Sequence, residues 1–207
     1  MSFLNGTLGP LLFPSILWRT DRSAIHLTFD DGPHPTATPQ VLELLRKFGI
    51  RATFFVLGDN VVKYPELALQ VATEMHAVGC HGMSHRSLFL KSRALQYSQI
   101  VRAKAAIEEK VGATPRLFRP PFGHFDRTTL LLSRQAGMKL VMWDVDSRDF
   151  TLRSLRETRS EILRQVRQGS IILLHDNELT AGRVRDYLTA IIEGCLEHGF
   201  TFASVPL

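Results

Sequence analysis

Short apolar runs that stop abruptly at ionisable residues, separated by stretches of helical periodicity, constrain this chain more than any other feature of its sequence. Six runs have the length and the β-branched or aromatic content of strands: residues 24–29, 52–57, 117–119, 140–145, 170–174 and 200–205. Between them, residues 38–48, 65–78, 92–111, 128–135, 152–167 and 184–198 carry helix-period apolar positions. Glycines at 49, 79, 112, 137, 169 and 199 stand where left-handed helix caps are expected. Strand and helix in regular alternation predict an α/β fold, a parallel sheet with crossover helices. Runs such as Thr53-Phe54-Phe55-Val56 and Ile171-Ile172-Leu173-Leu174 are apolar on both faces, as strands covered on both sides must be. Six or seven such units fit a closed or partly closed β/α barrel, with an open doubly wound sheet as the alternative.

The polar residues locate a site. Leu27-Thr28-Phe29 runs into Asp30-Asp31-Gly32-Pro33, Leu117-Phe118 into Arg119-Pro120-Pro121-Phe122-Gly123, and Ile171–Leu174 into His175-Asp176; Val141-Met142-Trp143 leads to Asp144, Asp146 and Asp149. One such terminus is explicable as capping or turn chemistry. Four in one chain argue for a site on the face where parallel strands end. The adjacent carboxylates Asp30 and Asp31 repel, and a nearby cation relieves them. His81 and His85, at H-x-x-x-H spacing, are expected on one helical turn, where with a carboxylate they make a two-His, one-Asp set with positions left for water. Asp149 is a candidate to orient His175, and Arg119 to hold a carboxylate ionised. A metal, a carboxylate base, a histidine acid and orienting groups are the parts of metal-assisted hydrolysis of an amide or ester.

Composition narrows the classes further. The chain has 207 residues, 44% apolar and 22% charged, which excludes a disordered or collagen-like protein and fits one globular domain. Residues 1–23 are expected as a segment packing on a catalytic domain spanning 24–207. The apolar stretch 8–18 is too short for a membrane span, is interrupted by Pro10 and Pro14 and has no Lys or Arg before it, so no signal peptide or anchor is read there. A net charge of +5 suits an acidic partner, but Arg153, Arg156, Arg159, Arg164 and Arg167 read as a solvated helix face. No nucleic-acid motif accompanies them, and no nucleic-acid partner is expected. Cys80 and Cys195 make no disulfide framework.

Five motifs in order carry a resemblance: T-F-D-D-G-P (Thr28–Pro33), H-x-x-x-H (His81–His85), R-P-P-F-G (Arg119–Gly123), D-x-x-D (Asp146–Asp149) and L-L-H-D (Leu173–Asp176). The chain resembles the polysaccharide deacetylases, the NodB-type domain of carbohydrate esterase family four, over residues 25–205. The resemblance implies a distorted (β/α) barrel of about seven parallel strands and hydrolysis of N-acetyl groups on N-acetylglucosamine glycans, peptidoglycan or chitin-like. Asp30 would be the general base and His175, tuned by Asp149, the general acid, with Arg119 holding Asp30. Asp31, His81 and His85 would hold a divalent metal, usually zinc, with cobalt, nickel or manganese as alternatives. The Phe122 N–H would stabilise the oxyanion, Leu173 would contact the acetyl methyl, and Phe150 would form a groove wall. The expected protein is a monomer working on glycans; the resemblance implies the cell envelope or the outside of the cell, while the lack of a visible export signal leaves the cytoplasm as the alternative.

Three departures from the family pattern stand out: Gly82 where Ser or Thr is common, Cys80 where Asn or Asp is common, and Phe150 where Trp is common. None falls on a residue assigned to chemistry, and Cys80 is expected beside the ligand set rather than in it. Two other classes of function compete: a metal-independent amidohydrolase acting on small molecules, and a non-catalytic carbohydrate-binding relative. The first has no need of the Asp31, His81, His85 set. The second predicts loss of Asp30 or His175, and both are present.

Overall fold

The structure, a computed structural model, describes residues 9–151 and 154–206. Seven strands form one parallel sheet: β1 (His26–Asp30), β2 (Thr53–Val56), β3 (Ala77–Cys80), β4 (Leu117–Phe118), β5 (Lys139–Leu140), β6 (Val145–Asp146) and β7 (Ile171–His175). Their order across the sheet is β5-β4-β3-β2-β1-β7-β6. The helices are α1 (Gly9–Leu12), α2 (Ala37–Phe48), α3 (Gly58–Lys63), α4 (Pro65–Thr73), α5 (Arg93–Val111), α6 (Arg127–Gln135), α7 (Leu155–Gln165) and α8 (Val184–Glu197).

Every residue of β1 and β2 is buried, and β7 is buried from Ile171 to Leu174, because helices cover the outer face that carries the stacked Phe29 and Phe54, while Thr28, Asp30 and Phe55 turn inward around the buried Arg119. The sheet is curled. Its edge strands β5 and β6 are joined by only residues 141–144, which reach at most about 18 Å from Leu140 to Val145. Seven flat strands would set those edges about 29 Å apart. The result is a half-barrel rather than an open doubly wound sheet, with Leu17 bridging Val141 along the seam. Around it, Ile16 and Trp18 are buried, and Phe13 packs edge-on to Phe125 at 5.2 Å. Residues 1–8 lie outside the described residues.

Several expectations are corrected. The helix expected over 65–78 stops at Thr73, and Ala77–Cys80 is strand β3. Gly79 is therefore a strand residue and not a cap; a Cβ there would lie 2.6 Å from the Phe55 ring. The run 140–145 is two edge strands rather than one. The run 200–205 forms only an isolated bridge, Phe202 to Ile25, so it flanks the sheet without joining it. Of the helix expected over 152–167, residues 152–153 lie outside the described residues, and α7 starts at Leu155 behind a Ser154–Glu157 capping box.

Candidate active site and metal centre

Strand register assembles the site. Asp30 and His175 are directly opposed at the ends of adjacent strands β1 and β7. His81 follows β3 and Arg119 follows β4, strands paired through Cys80 and Phe118. His81 and His85 sit in the loop after β3, not on a helical turn. The loop nonetheless brings their rings to 5.6 Å, because strand geometry delivers His81 and the chain folds back at Gly82, whose φ of 86° suits glycine. The departure at this position is thus a backbone feature.

Asp31 is held by two asparagines. It adopts a φ of 79°, unusual for a residue with a side chain. Its carbonyl accepts from Asn60 Nδ2 at 2.7 Å, and its Oδ2 accepts from Asn177 Nδ2 at 2.8 Å. Its Oδ1 is buried without a hydrogen-bond partner. That oxygen lies 3.4 Å from His81 Nε2 and 3.3 Å from His85 Nε2. His81 Nδ1 is 2.7 Å from the Arg119 carbonyl, which can only accept, so Nδ1 carries the proton and Nε2 presents a lone pair. Burial works against ionisation of Asp31, but the hydrogen bond and charge of His81, with the charge of His85 and His175, outweigh it when these rings are protonated and hold its carboxyl below the ordinary range. Burial in turn lowers His85, favouring its neutral, ligating form. One anionic and two imidazole donors, all within 4.8 Å of one another, aim at a common point with an orphaned oxygen among them. The set fits one divalent metal.

Arg119, fully buried, is the scaffold of the base. Its Nη1 donates to Asp30 Oδ1 at 2.7 Å and Thr28 Oγ1 at 2.8 Å, and its Nη2 to the Met142 carbonyl at 3.0 Å. The guanidinium stacks on Phe55 at 4.1 Å. With Oδ1 engaged, Asp30 has Oδ2 left for chemistry. Gly32 makes the turn after the two aspartates possible: a Cβ there would fall 2.2 Å from the fully buried Asp176 carboxylate.

His175 Nδ1 is 2.8 Å from Asp149 Oδ1, and the His175 backbone N–H donates to Asp149 Oδ2 at 2.8 Å. Burial disfavours the imidazolium, but the Asp149 bond and charge, with help from Asp30 and Asp31, raise its pKa to about 9. Nε2 is then the nitrogen free to act. Of the other acidic residues on this side, Asp144 ties β6 to β7 through the Ile171 N–H and Ser170, while Asp146 accepts from the Arg148 N–H.

A cavity of about 660 Å³ opens over these groups. Asp30, His81, His85 and His175 line it together with Phe122, Phe150 and Leu173, while Asp31, Arg119 and Asp149 support it from behind. Phe122, in left-handed conformation at φ 61°, packs tilted against His85 with ring centroids 4.1 Å apart. Phe150 stands perpendicular to the His175 ring at 5.5 Å. Both rings are half-exposed, one on each side of the centre. Cys80 is fully buried in β3 with its thiol pushed up to about 12, and it lies outside the donor set. Sequence reasoning gave no role to Thr28, although it opens the T-F-D-D-G-P motif, and did not identify Asn60 and Asn177. Neither asparagine has a spacing signal, since they reach Asp31 across 29 and 146 residues of chain.

Comparison with known proteins agrees with this geometry. The family profile described as polysaccharide deacetylase matches residues 19–141. The chain is 32% identical over 182 residues to the peptidoglycan-N-acetylglucosamine deacetylase PgdA of Listeria monocytogenes, covering 87% of this chain but only 38% of that protein. It is 38% identical over 154 residues to a chitooligosaccharide deacetylase of Bradyrhizobium sp., covering 74% of this chain and 70% of the relative. The crystal structure of the Bc1960 peptidoglycan N-acetylglucosamine deacetylase, in complex with a hydroxamate-type benzamide, superposes with a TM-score of 0.85 at 29% identity, covering 90% and 87% of the two chains.

Proposed function

Because the chain belongs to the polysaccharide deacetylase family, we propose that it hydrolyses N-acetyl groups from N-acetylglucosamine-containing glycans, peptidoglycan or chitin-like, releasing acetate and a free amino sugar. The observation that carries this reading is the opposition of Asp30 and His175 across β1 and β7, beside the Asp31, His81, His85 donor set. Zinc is the metal proposed. When bound, it supplies Lewis-acid polarisation of the acetyl carbonyl and of a water.

The chain's own groups do the rest. Asp30, fixed at Oδ1 by Arg119, takes the proton of the attacking water at Oδ2. The Phe122 N–H, presented by the left-handed turn, stabilises the oxygen anion as the carbonyl carbon becomes tetrahedral. His175 donates a proton from Nε2 to the departing sugar nitrogen as the C–N bond breaks, with Asp149 supporting the charge on the ring. Leu173, on the cavity wall, meets the acetyl methyl, and Phe122 and Phe150 offer apolar faces to the sugar ring. Family resemblance supports a monomer acting on glycans of the cell envelope or outside the cell; among the described residues no helix is long and apolar enough to cross a membrane.

The test is acetate release from N-acetylglucosamine oligomers and from peptidoglycan, before chelation, after it, and after zinc is restored, with mass spectrometry of the sugars. Chelator-sensitive, zinc-restored loss of acetyl groups is expected. Turnover that persists once the metal is shown to have left would overturn the metal-dependent mechanism in favour of a metal-independent amidohydrolase. Absence of acetate from either glycan would overturn the substrate class.

A further inference from the structure

We propose that Asn177 is a positioning residue that restrains Asp31 to a single ligating oxygen, Oδ1, and so sets the affinity of the centre for its metal. The inference rests on the metal-site reading of Asp31, His81 and His85.

The orientation of the Asn177 amide is fixed by its neighbours. Its Oδ1 accepts from the backbone N–H of Leu179 at 3.0 Å and of Thr180 at 3.3 Å. Backbone N–H groups only donate, so the oxygen must face them and the NH2 group must face Asp31. The amide therefore gives a hydrogen to Oδ2 of Asp31 at 2.8 Å, while Oδ1 is left with no partner but the two imidazole lone pairs. A carboxylate without this restraint is free to rotate about its Cβ–Cγ bond and offer both oxygens to a cation, or to swing away from the histidines. With Oδ2 engaged by a neutral donor, the negative charge is kept and only Oδ1 is directed inward. Asn60 completes the restraint from the main chain by holding the Asp31 carbonyl in a backbone conformation at φ 79°.

Asn177 also belongs to the turn that carries the proposed acid. Thr180 Oγ1 donates to the His175 carbonyl at 2.9 Å, so residues 175–180 fix both the imidazole's backbone and the amide that orients the metal ligand. Partners of this kind, which orient a ligand without touching the metal, typically contribute about 10–100-fold to affinity.

The experiment uses Asn177→Ser and Asn177→Thr, which keep a side-chain oxygen able to accept from the turn but lose the NH2 donor. Thr180→Val serves as a control that disturbs the turn and leaves the amide. Zinc affinity is read by competition with a chromophoric chelator, on proteins whose melting shows them folded, alongside the zinc concentration needed for half-maximal acetate release. Zinc binding about 10–100-fold weaker in both Asn177 variants, with a parallel rise in zinc requirement, is expected. Thr180→Val, which loosens the turn but keeps the amide donor, should weaken zinc binding clearly less than either Asn177 variant. Asn177 variants within threefold of wild type would overturn the proposal, as would equal weakening by Thr180→Val, which would assign the effect to the turn. Failure of the wild-type protein to take up stoichiometric zinc would instead overturn the metal-site reading beneath it.

Discussion

Replacing Asp149 by Asn isolates the electrostatic support of His175. The substitution keeps the side chain's size and leaves one oxygen to accept the His175 backbone N–H, but it removes the charge facing Nδ1. In the wild-type protein that charge, with Asp30 and Asp31, overcomes burial and lifts the imidazole from 6.5 to about 9. At about 1.4 kcal/mol per pH unit, the imidazolium is favoured by about 3 kcal/mol relative to an unperturbed histidine. In the variant the burial remains and the main support is gone, so the pKa falls below 6.5. At pH 8 His175 is then no more than about 3% protonated, and turnover that needs its proton falls by about thirtyfold or more. At pH 6 the same bound leaves up to about three quarters of the ring protonated, so the deficit can shrink to about 1.3-fold. The assay is kcat for acetate release at saturating zinc from pH 5.5 to 10, with histidine NMR titration reporting the imidazole directly. The wild-type alkaline limb should lie near pH 9 and the variant's below 6.5. Stability follows the same linkage. A raised folded-state pKa contributes fully below pH 6.5, and the contribution fades as pH rises through about 9, so the variant's stability deficit is largest at acidic pH and small at pH 10. An alkaline limb that does not move, or a loss of kcat uniform across pH, would refute the reasoning.

Other perturbations reach other parts of the site. Asp30→Asn should lower kcat by about 10²–10⁴-fold while zinc still binds stoichiometrically, because the base and the ligands are separate residues; loss of zinc together with activity would contradict that separation. Arg119→Met strands a buried Asp30 and the Met142 carbonyl, and should cost about 3–5 kcal/mol, seen as a fall in Tm of about 6–20 °C. A Tm within 2 °C of wild type would show that Asp30 does not depend on the guanidinium. Gly32→Ala drives a methyl group into the Asp176 carboxylate and should cost about 1–3 kcal/mol by chemical denaturation, with reduced activity. An alanine variant as stable as wild type would mean that the β1–α2 turn has room the structure does not show.

What could be read from the sequence, and what could not, follows from the range of the forces involved. Buried parallel strands such as Thr53–Val56 and Ile171–His175 announce themselves by apolar residues on both faces and a sudden polar end. Strand β3 does not, because Ala77-Val78-Gly79-Cys80 is small and continues the apolar spacing of α4. The His81, His85 pair was legible as a donor set, although the expected helical turn is a loop that reaches the same proximity by other means. Asp30 beside His175 required knowing which strands are neighbours, which the motif order suggests but only the register fixes. Asn60 and Asn177 were out of reach. A side-chain amide bonded to a residue 29 or 146 positions away leaves no local trace, and neither asparagine stands in a pattern that distinguishes it from a surface turn.

The four-residue link from β5 to β6 limits where this scaffold tolerates engineering. Residues 141–144 close the seam of the half-barrel and also supply the Met142 carbonyl that grips Arg119. Lengthening them would relax the curvature of the sheet and loosen the guanidinium that fixes Asp30, so a grafted loop at this point would be felt at the reaction centre some distance away. The turn after α5 is different: Gly112 has nothing within 4 Å of where a side chain would begin. Fusion partners, affinity handles or glycan-binding modules belong at such a turn, and the seam is best left at its native length.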